Sequence, residues 1–167
     1  MFEFITNSPK KTENLGKNFA EKIIRRHLKL NSQKAIIISL EGDLGGGKTT
    51  FTKGFARGLG IKDNIKSPTF ILMRKYKLES GKLRAESSQK FKKTTFHFLP
   101  TTFYHFDCYR IEDPKEILDL EFKKIIENPQ NIVIFEWGDK IKKILPDDCF
   151  KIKFEFLDKN KRKITIS

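Results

Sequence analysis

The chain predicts an α/β fold of packed layers: helices on a mixed, mostly parallel central sheet, with a C-terminal hairpin at one edge. Three observations point there. Ala35 to Leu40 and Asn131 to Phe135 are near-continuous apolar runs, as strands buried on both faces require. Segments with helical spacing of apolar residues lie between such runs, so strands and helices alternate through the middle of the chain. Near the C-terminus, residues 151–156 and 162–166 alternate apolar and polar around Asp158-Lys159-Asn160, the mark of a hairpin. At roughly 150 residues per domain, 167 residues suit one domain spanning 1–167.

The remaining elements follow in order. Phe2 to Thr6 alternates as a short strand, and Asn7-Ser8-Pro9 turns the chain. Thr12 is the expected N-cap of a helix whose stripe is Leu15, Phe19, Ile23 and His27, widened by Ala20 and Ile24. A second helix is expected from about Lys48 to Leu59, burying Phe51, Phe55 and Leu59, with Gly60 as its left-handed cap. Ser67 to Met73 reads as a turn entering a strand, and Thr102 to Asp107 as another strand. Asp113-Pro114-Lys115-Glu116 combines an N-cap, a proline at the first helical position and a back-bonding acid, so a helix to about Glu127 begins there. The least patterned stretch, about 77–101, reads as a basic, hairpin-like insertion.

Composition narrows the function classes. A formal net charge of +13 favours contact with nucleic acid or another polyanion, although lysine-rich surfaces also serve solubility. The charge is uneven, with net +6 over residues 74–101 against net −4 over 104–150. Sixteen phenylalanines supply a core despite a hydrophobic fraction of only 38%. No apolar run reaches the ~18 residues of a membrane span, and Met1-Phe2-Glu3-Phe4 does not open a secretory signal. Cys108 and Cys149 are too few for a disulfide framework or a four-ligand zinc site. A soluble, cytoplasmic protein without membrane partners is expected.

Gly42-Asp43-Leu44-Gly45-Gly46-Gly47-Lys48-Thr49 fits G-x-x-x-x-G-K-S/T between a buried strand and a helix, which makes the fold P-loop NTPase-like. Glycines let successive backbone N–H groups converge on phosphate without Cβ interference, and the helix N-terminus adds donors and a positive dipole end. The loop residues Asp43, Leu44, Gly45, Gly46 and Gly47 would line the phosphates. Lys48 would reach the β- and γ-phosphates, Thr49 would ligate Mg²⁺, and Thr50 would bond the α-phosphate. Hydrolysis further needs a metal-side carboxylate and a group that places the nucleophile. Asp107 and Glu136 close two strands, and in parallel α/β sheets ligands collect beyond those carboxyl ends. Either acid could hold Mg²⁺ while the other orients water; a solvated strand end is the plain alternative for each.

Gly42 to Thr50, Ser67-Pro68-Thr69-Phe70, His105-Phe106-Asp107-Cys108-Tyr109-Arg110 and Glu136-Trp137, in this order, resemble the TsaE (YjeE) family, small bacterial P-loop ATPases of tRNA threonylcarbamoyladenosine synthesis. The resemblance runs from the first helix through Pro146, outside the insertion. It implies ATP and Mg²⁺ as cofactors, weak hydrolysis by the isolated protein, and TsaB and TsaD as partners in a complex that ATP resets between turnovers. It implies Lys48, Asp107 and Glu136 as catalytic residues and Thr49, Glu136 and Asp107 as the metal side. Thr69 would stand near the γ-phosphate, Trp137 near the nucleotide and Thr12 near its base. A core or surface anchor is the competing reading of Trp137, and a simple N-cap that of Thr12. Tyr109 and Arg110 would serve the partner interface or the active-site loop. There are departures: the basic insertion is longer than the family's hairpin and would reach tRNA or stay solvated, and Leu118 to Phe122 lacks the usual glycine.

The alternatives are a basic nucleic-acid-binding module, which leaves the glycine loop idle, and a small P-loop kinase. Such a kinase needs arginines to clamp two sets of phosphates, and the candidate lid from Lys77 to Pro100 offers only Arg84. A GTPase would carry N/T-K-x-D, and neither Thr52-Lys53-Gly54-Phe55 nor Asn160-Lys161-Arg162-Lys163 has the closing acid.

Overall fold

The apolar runs become the middle of a sheet. In a computed structural model that describes residues 1–30, 32–63, 65, 67–68, 71–79 and 100–167, the strands are β1 (Phe2–Thr6), β2 (Ile36–Glu41), β3 (Met73–Lys77), β4 (Thr102–Asp107), β5 (Asn131–Glu136), β6 (Phe150–Phe156) and β7 (Arg162–Ile166). Their order is β1-β7-β6-β2-β5-β4-β3. The four central strands β6, β2, β5 and β4 run parallel. Antiparallel β3 flanks one side, and β7 with β1 the other. The C-terminal hairpin thus lies on the flank of the sheet, and β1 adds outside it as the outermost strand.

Among the described residues, the α-helices on the sheet are α1 (Pro9–Leu30), α2 (Lys48–Gly58), α3 (Lys115–Leu118) and α4 (Phe122–Glu127). One apolar layer joins α1 and α2 to the sheet through Phe51, Phe55, Phe103, Phe154 and the even-numbered isoleucines of β2 and β5. The other joins α3 and α4 to the opposite face through Ile117, Phe122, Phe106 and Phe135. This strict alternation puts Phe103, His105 and Asp107 of β4 on the α2 side together with Ile132, Ile134 and Glu136 of β5. α1 and α2 touch closely at Gly54, where a Cβ would stand 1.9 Å from the Glu13 carbonyl oxygen.

Three boundaries differ from the sequence reading, each for a local reason. α1 begins at Pro9 rather than at Thr12, because Ser8 takes the capping position: its hydroxyl accepts from Lys11 N at 3.3 Å and its carbonyl from Thr12 N at 3.2 Å. Thr12 is therefore inside the helix, 2% exposed, its hydroxyl 2.8 Å from that of Thr6. The single helix expected after Asp113 is two, split by Glu121 in the left-handed region at φ 57°. Ile117 and Phe122 are five positions apart, about 140° apart on a continuous helix, and the break lets both enter one core. Its start lies one residue later than expected, with Pro114 at the N-cap, while Glu116 back-bonds as expected, accepting from Glu112 N and Asp113 N, each at 3.1 Å. Finally, β3 starts at Met73, since Ile71 N donates to Pro68 O at 2.8 Å in a turn and Leu72 is left-handed at φ 62°. Thr69, Phe70 and the insertion residues 80–99 lie outside the described residues.

Candidate functional site

The glycine loop joins β2 to α2 at the carboxyl end of the sheet. Gly42, Gly45 and Gly47 have φ of 120°, 75° and 104°, and a Cβ at Gly42 would lie 2.1 Å from the Phe154 carbonyl. Only glycine relieves both constraints there. Arg162 of β7 braces the loop from outside: its Nε donates to Gly45 O at 2.9 Å. The loop wraps a cleft of about 390 Å³ lined by residues 44–50 with Ser67, Asp107, Tyr109, Glu136 and Trp137. They come from four segments; Ser67 and Tyr109 were expected near the site only through the family resemblance, and Asp43 and Thr12, also expected, are not in this lining.

Lys48 is 5% exposed and turned back on its own loop, donating to Gly42 O and, at 2.8 Å, to Asp43 O. Its Nζ stands 3.6 Å from the centre of the Trp137 ring, a cation–π contact. Burial pulls its pKa below the ordinary lysine value, against the opposing pull of Glu136, Asp139, Asp107 and Asp43. Trp137 reaches this place because its own backbone is left-handed, φ 62°, directly after β5. Its indole packs against Tyr109 with ring centres 5.1 Å apart.

Asp107 and Glu136 are register partners at the ends of β4 and β5 and are nearly buried, 4% and 2% exposed. The plain alternative of solvated strand ends therefore does not hold. Asp107 accepts from the Ser67 hydroxyl and, at 3.0 Å, from Tyr109 N. Glu136 accepts from the Thr49 hydroxyl at 2.6 Å through Oε2, while its Oε1 faces His105 Nε2 at 2.7 Å and the Thr52 hydroxyl at 3.2 Å. Oxygen donors from two carboxylates and a hydroxyl suit a small hard cation that takes its other ligands from phosphate and water. Among the described residues no cluster of three or more His, Cys, Asp or Glu offers an all-protein metal cage.

A smaller recess of about 70 Å³ adjoins the loop and shares Gly45, Gly47 and Thr50 with the cleft. Ser8, Pro9, Thr12, Lys159, Asn160 and Arg162 complete it. Thr12 is thus on the site's outer wall, and not as a cap. Sequence reasoning missed Arg162 and the role of His105 and Thr52 around Glu136. Thr52 carried a usable signal, since it follows Thr49 by three residues and so shares its helix face. Arg162 carried none, because 117 residues separate it from Gly45.

Comparisons with known proteins bear on the family and the fold. A family model described as threonylcarbamoyl adenosine biosynthesis protein TsaE matches residues 6–164. The chain is similar to the tRNA threonylcarbamoyladenosine biosynthesis protein TsaE of Haemophilus influenzae, 38% identical over 145 residues that cover 86% of this chain and 75% of that one. It is 35% identical to the Rickettsia prowazekii protein of the same description over 161 residues, 96% of this chain and 90% of the other. Its fold is similar to the crystal structure of YdiB from Bacillus subtilis, with a TM-score of 0.64 and 28% identity over 99% of this chain and 83% of that one. Among the described residues, no helix is long and apolar enough to cross a membrane.

Proposed function

The chain belongs to the TsaE family of threonylcarbamoyl adenosine biosynthesis proteins, and on that premise we propose that it binds ATP with Mg²⁺ under the glycine loop and hydrolyses it slowly. In this reading TsaB and TsaD are its partners, and the nucleotide cycle resets their complex between rounds of tRNA modification. The observation that carries the nucleotide reading is the 2.6 Å contact between Thr49 and Glu136, 87 residues apart. It joins the helix that opens at the phosphate loop to a strand-end acid, the pairing that a shared cation needs.

Each residue then has a task. The loop amides and the first turn of α2 surround the β-phosphate. Lys48 leaves the carbonyls of Gly42 and Asp43 for the β- and γ-phosphate oxygens, which accept more strongly because they are charged. Thr49 and Glu136 hold the cation side, with Asp107 next to them. The cation, when bound, neutralises charge on the leaving phosphate. Asp107, its carboxylate fixed by Ser67 and Tyr109 N, orients the attacking water. Trp137 walls the cleft, and the recess at Thr12 takes the base.

Calorimetry and a phosphate-release assay test this on the full chain. Asp107→Ala is expected to keep ATP affinity within about threefold while turnover is lost, the mark of a group that acts in the transition state. ATP consumption should rise when TsaB and TsaD are added. Absence of ATP binding by the unaltered protein at millimolar nucleotide would overturn the proposal.

A further inference from the structure

Glu136 has more donors around it than a metal-side acid requires, and one of them has no other task. His105 lies in the middle of β4 opposite Ile134, fully buried, and its Nε2 reaches diagonally along β5 to Glu136 Oε1 at 2.7 Å. A carboxylate oxygen only accepts, so Nε2 carries the hydrogen. Nδ1 has no hydrogen-bond partner among the described residues. The ring therefore sits in an apolar layer for one hydrogen bond and leaves its other nitrogen desolvated. A residue that only filled this space would be Leu or Phe, without that penalty.

The remaining donors do not replace it. Thr52 has a single hydroxyl hydrogen and two acceptors, Lys48 O at 3.0 Å and Glu136 Oε1 at 3.2 Å, and the first is closer. Thr49 sits on the other oxygen, Oε2. Phe103 lies beside the imidazole on the same face of β4, with planes 14° apart and ring centres 6.4 Å apart.

We propose that His105 is a positioning residue: its Nε2–H holds Oε1 so that Oε2 faces Thr49 and the cation, and the metal-dependent part of nucleotide affinity depends on it. This rests on the nucleotide and magnesium reading above. Removing such an outer partner of a metal ligand weakens metal affinity by about 10–100-fold.

The test uses the full chain, a non-hydrolysable ATP analogue and calorimetry, with magnesium and with a chelator, beside thermal melting. Three variants separate the roles. His105→Gln places an amide donor at the reach of Nε2, His105→Asn places one only at the reach of Nδ1, and His105→Leu fills the space with none. The expected result is that Gln keeps the gain in affinity on adding magnesium, while Asn and Leu reduce that gain about tenfold or more with metal-free affinity unchanged. Equal magnesium gains in all three variants and the unaltered protein would make His105 a core residue and overturn the proposal. So would equal losses in Gln and Asn, the comparison that decides the matter should the Leu variant not fold. If the unaltered protein shows no gain with magnesium, the magnesium reading fails, and this inference with it. If the unaltered protein gains and the variants do not differ, this inference alone fails.

Discussion

Lys48→Met is the sharpest perturbation because the fold and the proposed ligand should respond in opposite directions. Lys48 is 5% exposed, and its burial outweighs the attraction of four nearby carboxylates, so its pKa lies below the ordinary lysine value. Methionine has similar length and no charge to desolvate. The loop carbonyls that lose their donor can turn to water, since Gly42 is half-buried and Asp43 exposed. Removing the charge should therefore leave stability within about 1 kcal/mol of the original or raise it, which for a domain of this size is a shift of roughly 2–4 °C. With ATP the balance reverses. Two charge-assisted hydrogen bonds to the β- and γ-phosphates, at about 1.5–3 kcal/mol each, are lost, which weakens binding by roughly 10²–10⁴-fold. Calorimetry gives the affinity and differential scanning the melting temperature, with and without nucleotide. Binding retained within tenfold would refute the phosphate role, and a strongly lowered melting temperature without nucleotide would make Lys48 a structural residue.

Two further outcomes follow from packing. Gly54→Ala forces a Cβ into the Glu13 backbone, 1.9 Å from its carbonyl oxygen. α1 and α2 must separate, at about 3 kcal/mol or more on the scale of overpacked cores; an unchanged midpoint in urea would refute this. Burial pushes the Cys108 thiol from 9.0 up to about 12, with Asp107 adding to the effect. The unfolded chain loses this proton first as pH rises, so the stability contributed is full below about pH 9 and falls toward pH 12 by up to about 1.4 kcal/mol per pH unit. Urea titrations of the original protein and Cys108→Ala across that range should differ in slope with pH by that amount, and parallel curves would contradict it.

The glycine loop was legible because its pattern is local. Eight consecutive residues carry the glycines, the lysine and the threonine, and the flanking strand and helix are marked by their own apolar periods. The strand ends at Asp107 and Glu136 were equally readable, since alternating and continuous apolar runs stop there. The helix starts were less so. Ser8 and Thr12 are both good caps, and only the seating of Thr12 against Thr6 from β1 decides between them. The break at Glu121 has no local signal at all, because glycine is absent; the need to bury both Ile117 and Phe122 imposes it.

By itself, then, the sequence determined what repeats over a few residues: the alternation of strands and helices, the glycine-loop pattern between β2 and α2, and the acids that end β4 and β5. Tertiary structure alone decided which distant groups meet. It set the strand order that makes Asp107 and Glu136 register partners, closed Thr49 onto Glu136, and laid Trp137 over Lys48. It also brought Arg162 to Gly45 and His105 to Glu136. The physical reason is that periodicity and turn chemistry act between neighbours in the chain. Contacts across the sheet instead arise from burying two apolar faces at once, a condition that no single segment carries.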